Sequence, residues 1–210
     1  MSLIGKLDPL HPDELGLNQA VACLKEGKTV AYPTETFYAL GVSAYHEQAI
    51  QKVFAIKGRT SDKPLPLIIH GASMLEEVAC QIPECARSLI RAFWPGPLTL
   101  IFKASEKIPP LLTASTGTVA VRDSSHPLAR LLVNAARTPI TATSANASGD
   151  AGCSTAEEVA QQLGNRIDLI VDGGATPGGL PSTIVDLTAV PPRVVREGAI
   201  SSELLRPYLS

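Results

Sequence analysis

The sequence lacks an excess of positive charge. Its 210 residues carry a formal net charge of -2 at pH 7, and the isoelectric point is near 6.1. Because a protein with this balance has no overall positive field, contact with nucleic acid or an anionic membrane would have to come from a local patch. Bulk charge therefore argues against a basic nucleic-acid-binding protein.

Long hydrophobic runs are also missing. An uninterrupted apolar stretch of about 18 residues, the length that a membrane-spanning helix needs, does not occur. Residues 1–16 contain Asp8, Asp13 and Glu14 and no apolar run long enough for a signal peptide. We therefore expect a soluble, cytoplasmic protein without membrane partners.

Cysteines are few and poorly spaced for metal binding. The chain has four of them, at positions 23, 80, 85 and 153, and none forms a CxxC pair. Cys80 and Cys85 are the nearest two, and no histidine lies beside them. Because zinc sites need clustered cysteine or histidine ligands, we expect buried free thiols and no zinc site.

Helices and strands alternate along the chain. Hydrophobic periodicity and capping signals predict helices over 13–26, 47–57, 74–78, 83–93 and 126–136, and another that begins at 154. Short apolar runs predict strands over 29–32, 65–69, 98–102, 118–122, 140–143, 169–172, 182–187 and 193–196. This alternation predicts a single α/β domain over 1–210, with a twisted mixed parallel and antiparallel sheet and flanking helices. The Pro/Gly-rich segment 173–181 is expected to be a long mobile loop between two strands.

Four groups of polar residues follow or interrupt the predicted strands, where open α/β sheets build ligand sites. They are PTETFYALG at 33–41, KGRTSDKP at 57–64, Thr118 with Arg122, and TSANASG at 143–149 with Ser182, Thr183 and Arg196 further on. Each group alone has an ordinary explanation, since cations at a helix end complement its dipole and Ser/Thr/Asn/Gly clusters form turns.

Taken together, the groups predict a site for a polyanion. Positive charge would come from Lys57, Arg59, Lys63, Arg122 and Arg196. Hydroxyl and amide groups would come from Thr34, Thr36, Ser144, Asn146 and Ser182. The set suits a triphosphate, although the phosphate-binding pattern GxxxxGK[ST] and a strand-linked GxGxxG are absent. A nucleotide would therefore be held by side chains from several strands.

The ordered motifs resemble one known family. PTETFYALG, KGRTSDKPL, FWPGPLTL, TVAVR, TSANASG, PSTIVDL and VVREGAI, in that order, are similar to the YrdC/TsaC family of L-threonylcarbamoyladenylate synthases, within the Sua5-YciO-YrdC superfamily. The resemblance covers residues 13–200 and implies one α/β domain around a large, positively lined cavity. It also implies the short form of the family, without an additional C-terminal domain.

The resemblance implies an ATP-dependent nucleotidyltransferase. Such enzymes condense L-threonine, bicarbonate or CO2 and ATP to threonylcarbamoyl-AMP and pyrophosphate, with Mg2+ carried by the ATP and no tightly bound cofactor. A partner complex then transfers the threonylcarbamoyl group to adenosine 37 of tRNA, giving the t6A modification. By motif, ATP would contact Lys57, Arg59, Lys63, Thr118, Ser144, Asn146, Gly152 and Arg196. Threonine would contact Thr34, Thr36, Arg122 and Ser182, and Lys57 and Arg59 would serve catalysis.

Several positions depart from the family pattern. Ala39 replaces a usual glycine, Thr60 a common proline, and Asp123-Ser124 a usual apolar-proline pair. Asp123 is expected to weaken the positive field by pairing with Arg122 beside it. These departures leave open a YciO-like homologue that binds nucleotide or RNA with weak or different activity.

A further alternative uses Lys57 and Ser144 as a serine/lysine hydrolase pair. The GxSxG elbow of many serine hydrolases is absent, which counts against this alternative.

Overall fold

The structure is a computed structural model, and it describes residues 3–58, 60 and 62–209. The strands are β1 (Leu3–Lys6), β2 (Val30–Tyr32), β3 (Ala39–Gly41), β4 (Leu67–Ile69), β5 (Ala79–Cys80), β6 (Leu98–Ala104), β7 (Thr118–Asp123), β8 (Ile140–Thr141), β9 (Thr143–Ser144), β10 (Leu169–Asp172), β11 (Thr183–Asp186) and β12 (Arg193–Arg196). The α-helices are α1 (Glu14–Lys25), α2 (Glu47–Lys57), α3 (Gly71–Val78), α4 (Glu84–Phe93), α5 (Pro127–Ala136), α6 (Ala156–Gln162) and α7 (Ser202–Leu205). Short 3-10 turns follow at Gly164–Arg166 and Arg206–Tyr208.

Helix boundaries follow local chemistry. Asp13 caps α1, because its Oδ1 accepts a hydrogen bond from the backbone N–H of Gly16 at 2.7 Å. Helix α2 ends where Gly58 adopts a left-handed conformation with φ 60. The predicted helix over 47–57 is confirmed at both ends. These caps fix the point at which Lys57 leaves the helix.

The strands form two mixed sheets. One has five strands in the order β1-β10-β2-β3-β9, and the other has seven, in the order β12-β11-β6-β7-β4-β8, with β5 on β6. Both contain parallel and antiparallel pairs, such as β1 with β10 and β2 with β3. The predicted mixed α/β class with flanking helices is confirmed, while the strands divide between two sheets.

The chain passes from one sheet to the other inside the predicted strand over 140–143. The prediction of a single strand over 140–143 is wrong, because β8 pairs with β4 in the larger sheet while β9 pairs with β3 in the smaller one. Between them, the N–H of Ala142 donates to the carbonyl oxygen of Pro66 at 2.8 Å. The following residues therefore emerge between the two sheets.

One hydrophobic core joins the sheets. Leu40 of β3, Leu67 of β4 and Leu98 of β6 are fully buried in the same cluster. A second cluster lies under α1 and α5, where Leu24 packs with Val133. Ala31 of β2 belongs to the first cluster and Val30 to the second, so the smaller sheet is packed on both faces.

The thiols are less buried than expected. Cys153 is buried, Cys23 and Cys85 are partly exposed, and Cys80 is exposed, with all four free. The prediction of buried free thiols is therefore right for Cys153 and wrong for the exposed Cys80. No group of three or more potential metal ligands occurs among the described residues. Within the same residues, no helix is both long and apolar enough to cross a membrane.

Candidate active site

A cavity of about 530 Å³ lies between the two sheets. This size falls within the range of about 300–1,000 Å³ that is typical of small-molecule sites. Thr34, Thr36, Arg122, Ser144, Asn146, Gly152, Ser182 and Arg196, all predicted from sequence, line it. Other lining residues include Phe37, Tyr38, Thr99, Ile101, Ala120 and Asp150.

One wall is a face of the larger sheet. Ala120 and Arg122 of β7 line the cavity because alternate residues of a strand point to the same side. Val121, between them, is fully buried in the core. Thr118 begins the same strand and is not among the lining residues. Its hydroxyl instead lies 2.9 Å from that of Thr116.

Arg122 is held by an acid from the opposite wall. Its Nη1 donates to Oε1 of Glu35 at 2.8 Å and approaches the hydroxyl of Thr36 at 3.4 Å. The expected pair of Arg122 with Asp123 is wrong, because Asp123 points to the other face of β7 and pairs with Arg130. Burial raises the pKa of Asp123, and the nearby Arg130 partly offsets this effect.

Thr34 and Thr36 form a compact hydroxyl pair in the loop between β2 and β3. Their Oγ1 atoms are 3.1 Å apart, and the Thr34 hydroxyl also donates to the carbonyl oxygen of Phe37 at 2.7 Å. Both residues are buried, so the loop geometry is fixed by its own hydrogen bonds. The loop over residues 173–181 fastens this wall, since the N–H of Gly178 donates to the carbonyl oxygen of Thr36 at 2.8 Å.

Arg196, Ser182 and Thr99 form a second polar group. The guanidinium of Arg196 donates to the carbonyl oxygen of Ser182 at 2.8 Å and to its Oγ at 3.2 Å. The hydroxyls of Ser182 and Thr99 are 2.8 Å apart. Burial lowers the pKa of Arg196, and repulsion from Arg122 lowers it further. An anion placed between these arginines would relieve that repulsion.

Lys57 lies behind the cavity wall and is almost fully buried, with 4% exposure. Its ammonium donates to the carbonyl oxygens of Ser144 and Asn146 at 2.5 and 2.9 Å, and to Oδ1 of Asn146 at 2.9 Å. The Ser144 hydroxyl donates to the same Oδ1 at 2.5 Å. Lys57 therefore holds the TSANASG loop in place. Its described hydrogen bond to Ser144 goes to the carbonyl oxygen, whereas a serine/lysine hydrolase pair would need one to the Oγ.

The remaining predicted cations have different settings. Lys63 is exposed on the loop that borders the cavity at Pro64, and it is not a lining residue. Arg59 lies outside the described residues. Thus α2 and its following loop deliver Lys57 to the interior and Lys63 to the surface.

Glu35 and Thr99 are site residues that sequence reasoning missed. Glu35 lies within PTETFYALG, where a charge among buried residues signals a specific partner. Thr99 is the polar residue in the apolar strand LTLIF, and nothing in that pattern distinguishes it from an ordinary strand residue. Alternation with Ile101 would have placed it on the cavity face.

Comparisons with known proteins agree with this arrangement. The sequence model of the Sua5, YciO and YrdC proteins, described as telomere recombination, matches residues 22–198. The chain belongs to the Sua5/YciO/YrdC family. Its fold and motif order therefore have the same origin as those of the family's solved members.

Individual relatives extend the comparison. The threonylcarbamoyl-AMP synthase of Pyrococcus abyssi is 42% identical over 191 residues, which make up 91% of this chain and 56% of the relative. The crystal structure of P. abyssi Sua5 complexed with L-threonine superposes with a TM-score of 0.96 at 39% identity, covering 100% of this chain and 61% of that one. The E. coli YciO structure superposes with a TM-score of 0.89 at 30% identity and covers 100% of both chains. The chain thus spans little more than half the length of its Pyrococcus relative.

Proposed function

We propose that this family member is a threonylcarbamoyl-AMP synthase, which condenses L-threonine, bicarbonate or CO2 and ATP. The similarity to synthases across 91% of the chain supports this activity. The observation that carries the proposal is a cavity lined by two guanidinium groups, the buried Arg122 and the more exposed Arg196, among hydroxyl groups. The substrates carry one carboxylate and one triphosphate, which these groups are suited to bind.

The proposed reaction has two bond-forming steps. The unprotonated amine of threonine attacks CO2 to form the N–C bond of a carbamate, and one amine proton passes to solvent. With bicarbonate as the source, that amine proton and the hydroxyl group of bicarbonate leave together as one water. A carbamate oxygen then attacks the α-phosphorus of ATP, and the bond from that phosphorus to the bridging oxygen breaks to release pyrophosphate. Positioning and charge neutralisation supply most of the acceleration in such phosphorus transfers.

The residues divide between the two substrates. Arg122 would take the threonine carboxylate, while Thr34, Thr36 and Ser182 would orient the amine and side chain. ATP would contact Ser144, Asn146, Gly152, Arg196, Lys63, Arg59 and Thr118. Lys57 and Arg59 would support catalysis, Lys57 by holding the loop over 144–146 through its three described hydrogen bonds. Mg2+ would enter on the ATP phosphates, with no tightly bound cofactor.

The product requires a partner. A mixed anhydride of this kind is reactive, so we propose that a threonylcarbamoyl transferase complex accepts it and modifies tRNA in the cytoplasm. Net charge of -2 leaves any direct RNA contact weak and local.

The assay is direct. Purified protein is incubated with ATP, Mg2+, bicarbonate and labelled threonine, and the threonylcarbamoyl adenylate is sought by mass. Arg196→Ala should raise the KM for ATP by about 10- to 100-fold, because it removes hydrogen bonds made by a charged group. Arg193→Ala is the matched control, since Arg193 lies on the same strand with 71% side-chain exposure.

Lack of product under conditions where a known synthase works would contradict the proposal. It would favour a YciO-like role in binding nucleotide or RNA, an alternative supported by the superposition on YciO over the whole of both chains.

A further inference from the structure

Glu35 is a carboxylate that the proposed reaction does not use. It lies in the loop between β2 and β3 with 12% side-chain exposure, opposite Arg122 with 7%. Unlike Thr34 and Thr36 on either side of it, Glu35 does not line the cavity. Burying a carboxylate is costly unless it is paired and hydrogen-bonded, so its position calls for a specific role.

Both oxygens of this carboxylate are held. Oε1 accepts from Nη1 of Arg122 at 2.8 Å, and Oε2 accepts a short hydrogen bond from the hydroxyl of Ser124. Ser124 is fully buried, and its Oγ accepts from the N–H of His126 at 3.2 Å. The carboxylate is thus anchored to the start of α5.

This anchoring orients the arginine. The described hydrogen bonds of Arg122 all use Nη1, toward Glu35 and Thr36. Because a guanidinium is planar and rigid, fixing Nη1 also fixes the direction of Nη2 and Nε. Those two nitrogens form an edge suited to the two oxygens of a ligand carboxylate.

Ser124 supplies the second hydrogen bond to Glu35. Here the serine holds the far oxygen of Glu35, so the carboxylate cannot rotate freely away from Arg122.

We propose that Glu35, clamped by Ser124, is a positioning residue that presents Arg122 to the carboxylate of the amino-acid substrate. The inference rests on the proposed function for the identity of that substrate. It adds a requirement, since affinity for threonine then depends on a charge that does not touch it.

The test measures binding without turnover. Calorimetry gives the Kd of L-threonine for the wild-type protein, Glu35→Gln and the control Glu106→Gln, which makes the same change on an exposed loop. We expect Glu35→Gln to weaken threonine binding by about tenfold or more and Glu106→Gln to leave it within twofold. Glu35→Asp should recover part of the loss, because it restores the charge.

L-threoninol separates positioning from general damage. It replaces the carboxylate with a hydroxymethyl group, so its binding, although weaker, should change by less than threefold between wild type and Glu35→Gln. A milder variant, Ser124→Ala, should weaken threonine binding by about three- to tenfold and spare threoninol. Equal losses for both ligands, or no loss for threonine, would overturn the inference.

Failure of the two proposals can be told apart. A wild-type protein that binds threonine in a Glu35-dependent way but makes no adenylate would refute the synthase and keep the positioning role. An active wild type whose Glu35→Gln variant binds threonine normally would refute the positioning role alone. A wild-type protein that does not bind threonine would overturn the positioning role.

Discussion

Replacing Lys57 with methionine tests how the ATP side of the cavity is built. The change keeps most of the apolar stem but removes an ammonium that donates to three described oxygens of Ser144 and Asn146. Each buried acceptor left unsatisfied costs about 1–3 kcal/mol. Oδ1 of Asn146 keeps the hydroxyl of Ser144, and the carbonyl oxygen of Ser144 keeps the N–H of Asn146, so the carbonyl oxygen of Asn146 is the acceptor that loses its described partner. We therefore expect a loss of about 1–3 kcal/mol in the free energy of unfolding.

Urea denaturation measures this loss. With a slope of about 2 kcal/mol per molar urea, the midpoint should fall by about 0.5–1.5 M. Lys107→Met is the control, because Lys107 is exposed in a turn. Adenylate formation should also fall at temperatures where the variant stays folded, since Ser144 and Asn146 line the cavity. A midpoint that moves no further than that of the control would refute the reasoning.

Other changes test separate parts of the site. Arg122→Lys keeps the charge but loses the planar guanidinium. The KM for threonine should therefore rise by about 10- to 100-fold while the KM for ATP stays within threefold. Steady-state kinetics with each substrate varied measures both constants, and a rise of both together would contradict this expectation. Gly152→Ala would place a Cβ 2.9 Å from Cδ1 of Phe37, which is too close for both to keep their positions. ATP affinity should therefore fall, and adding Phe37→Leu should restore part of it. An unchanged KM for ATP in the single variant would argue against close packing at Gly152. Burial lowers the pKa of His126 in the folded protein. Between that lowered pKa and the usual value of about 6.5, the unfolded chain therefore binds more protons than the folded one. The free energy of unfolding should fall as pH drops through this window. His126→Gln should flatten that slope in urea titrations, and parallel curves for the two proteins would contradict the assignment.

Local patterns predicted the helices well because each is specified by its own residues. Helix α2 is an example, with its apolar periodicity over 47–57 and a stop at Gly58. Short strands were harder. Alternation places Ser144 and Asn146 on one side and Ala145 on the other, as found, but it cannot say that β8 and β9 join different sheets. That choice depends on partners distant in the chain.

The same limit applies inside the site. Asp123 is next to Arg122 in the sequence, yet successive residues of a strand point to opposite faces, so the two cannot share one pocket. The true partner, Glu35, is 87 residues away. Eight residues that the motif resemblance implied line the cavity, whereas Thr118, Lys57 and Lys63 do not. Their roles toward substrates stay predictions.

Isotope incorporation is the most direct test of the central claim. Wild-type protein is supplied with ATP, Mg2+, L-threonine carrying nitrogen-15 and bicarbonate carrying carbon-13, and the adenylate is analysed by mass spectrometry. The account predicts one adenylate that contains both labels, formed together with one equivalent of pyrophosphate. Pyrophosphate release without a doubly labelled adenylate, or unchanged ATP, would contradict it.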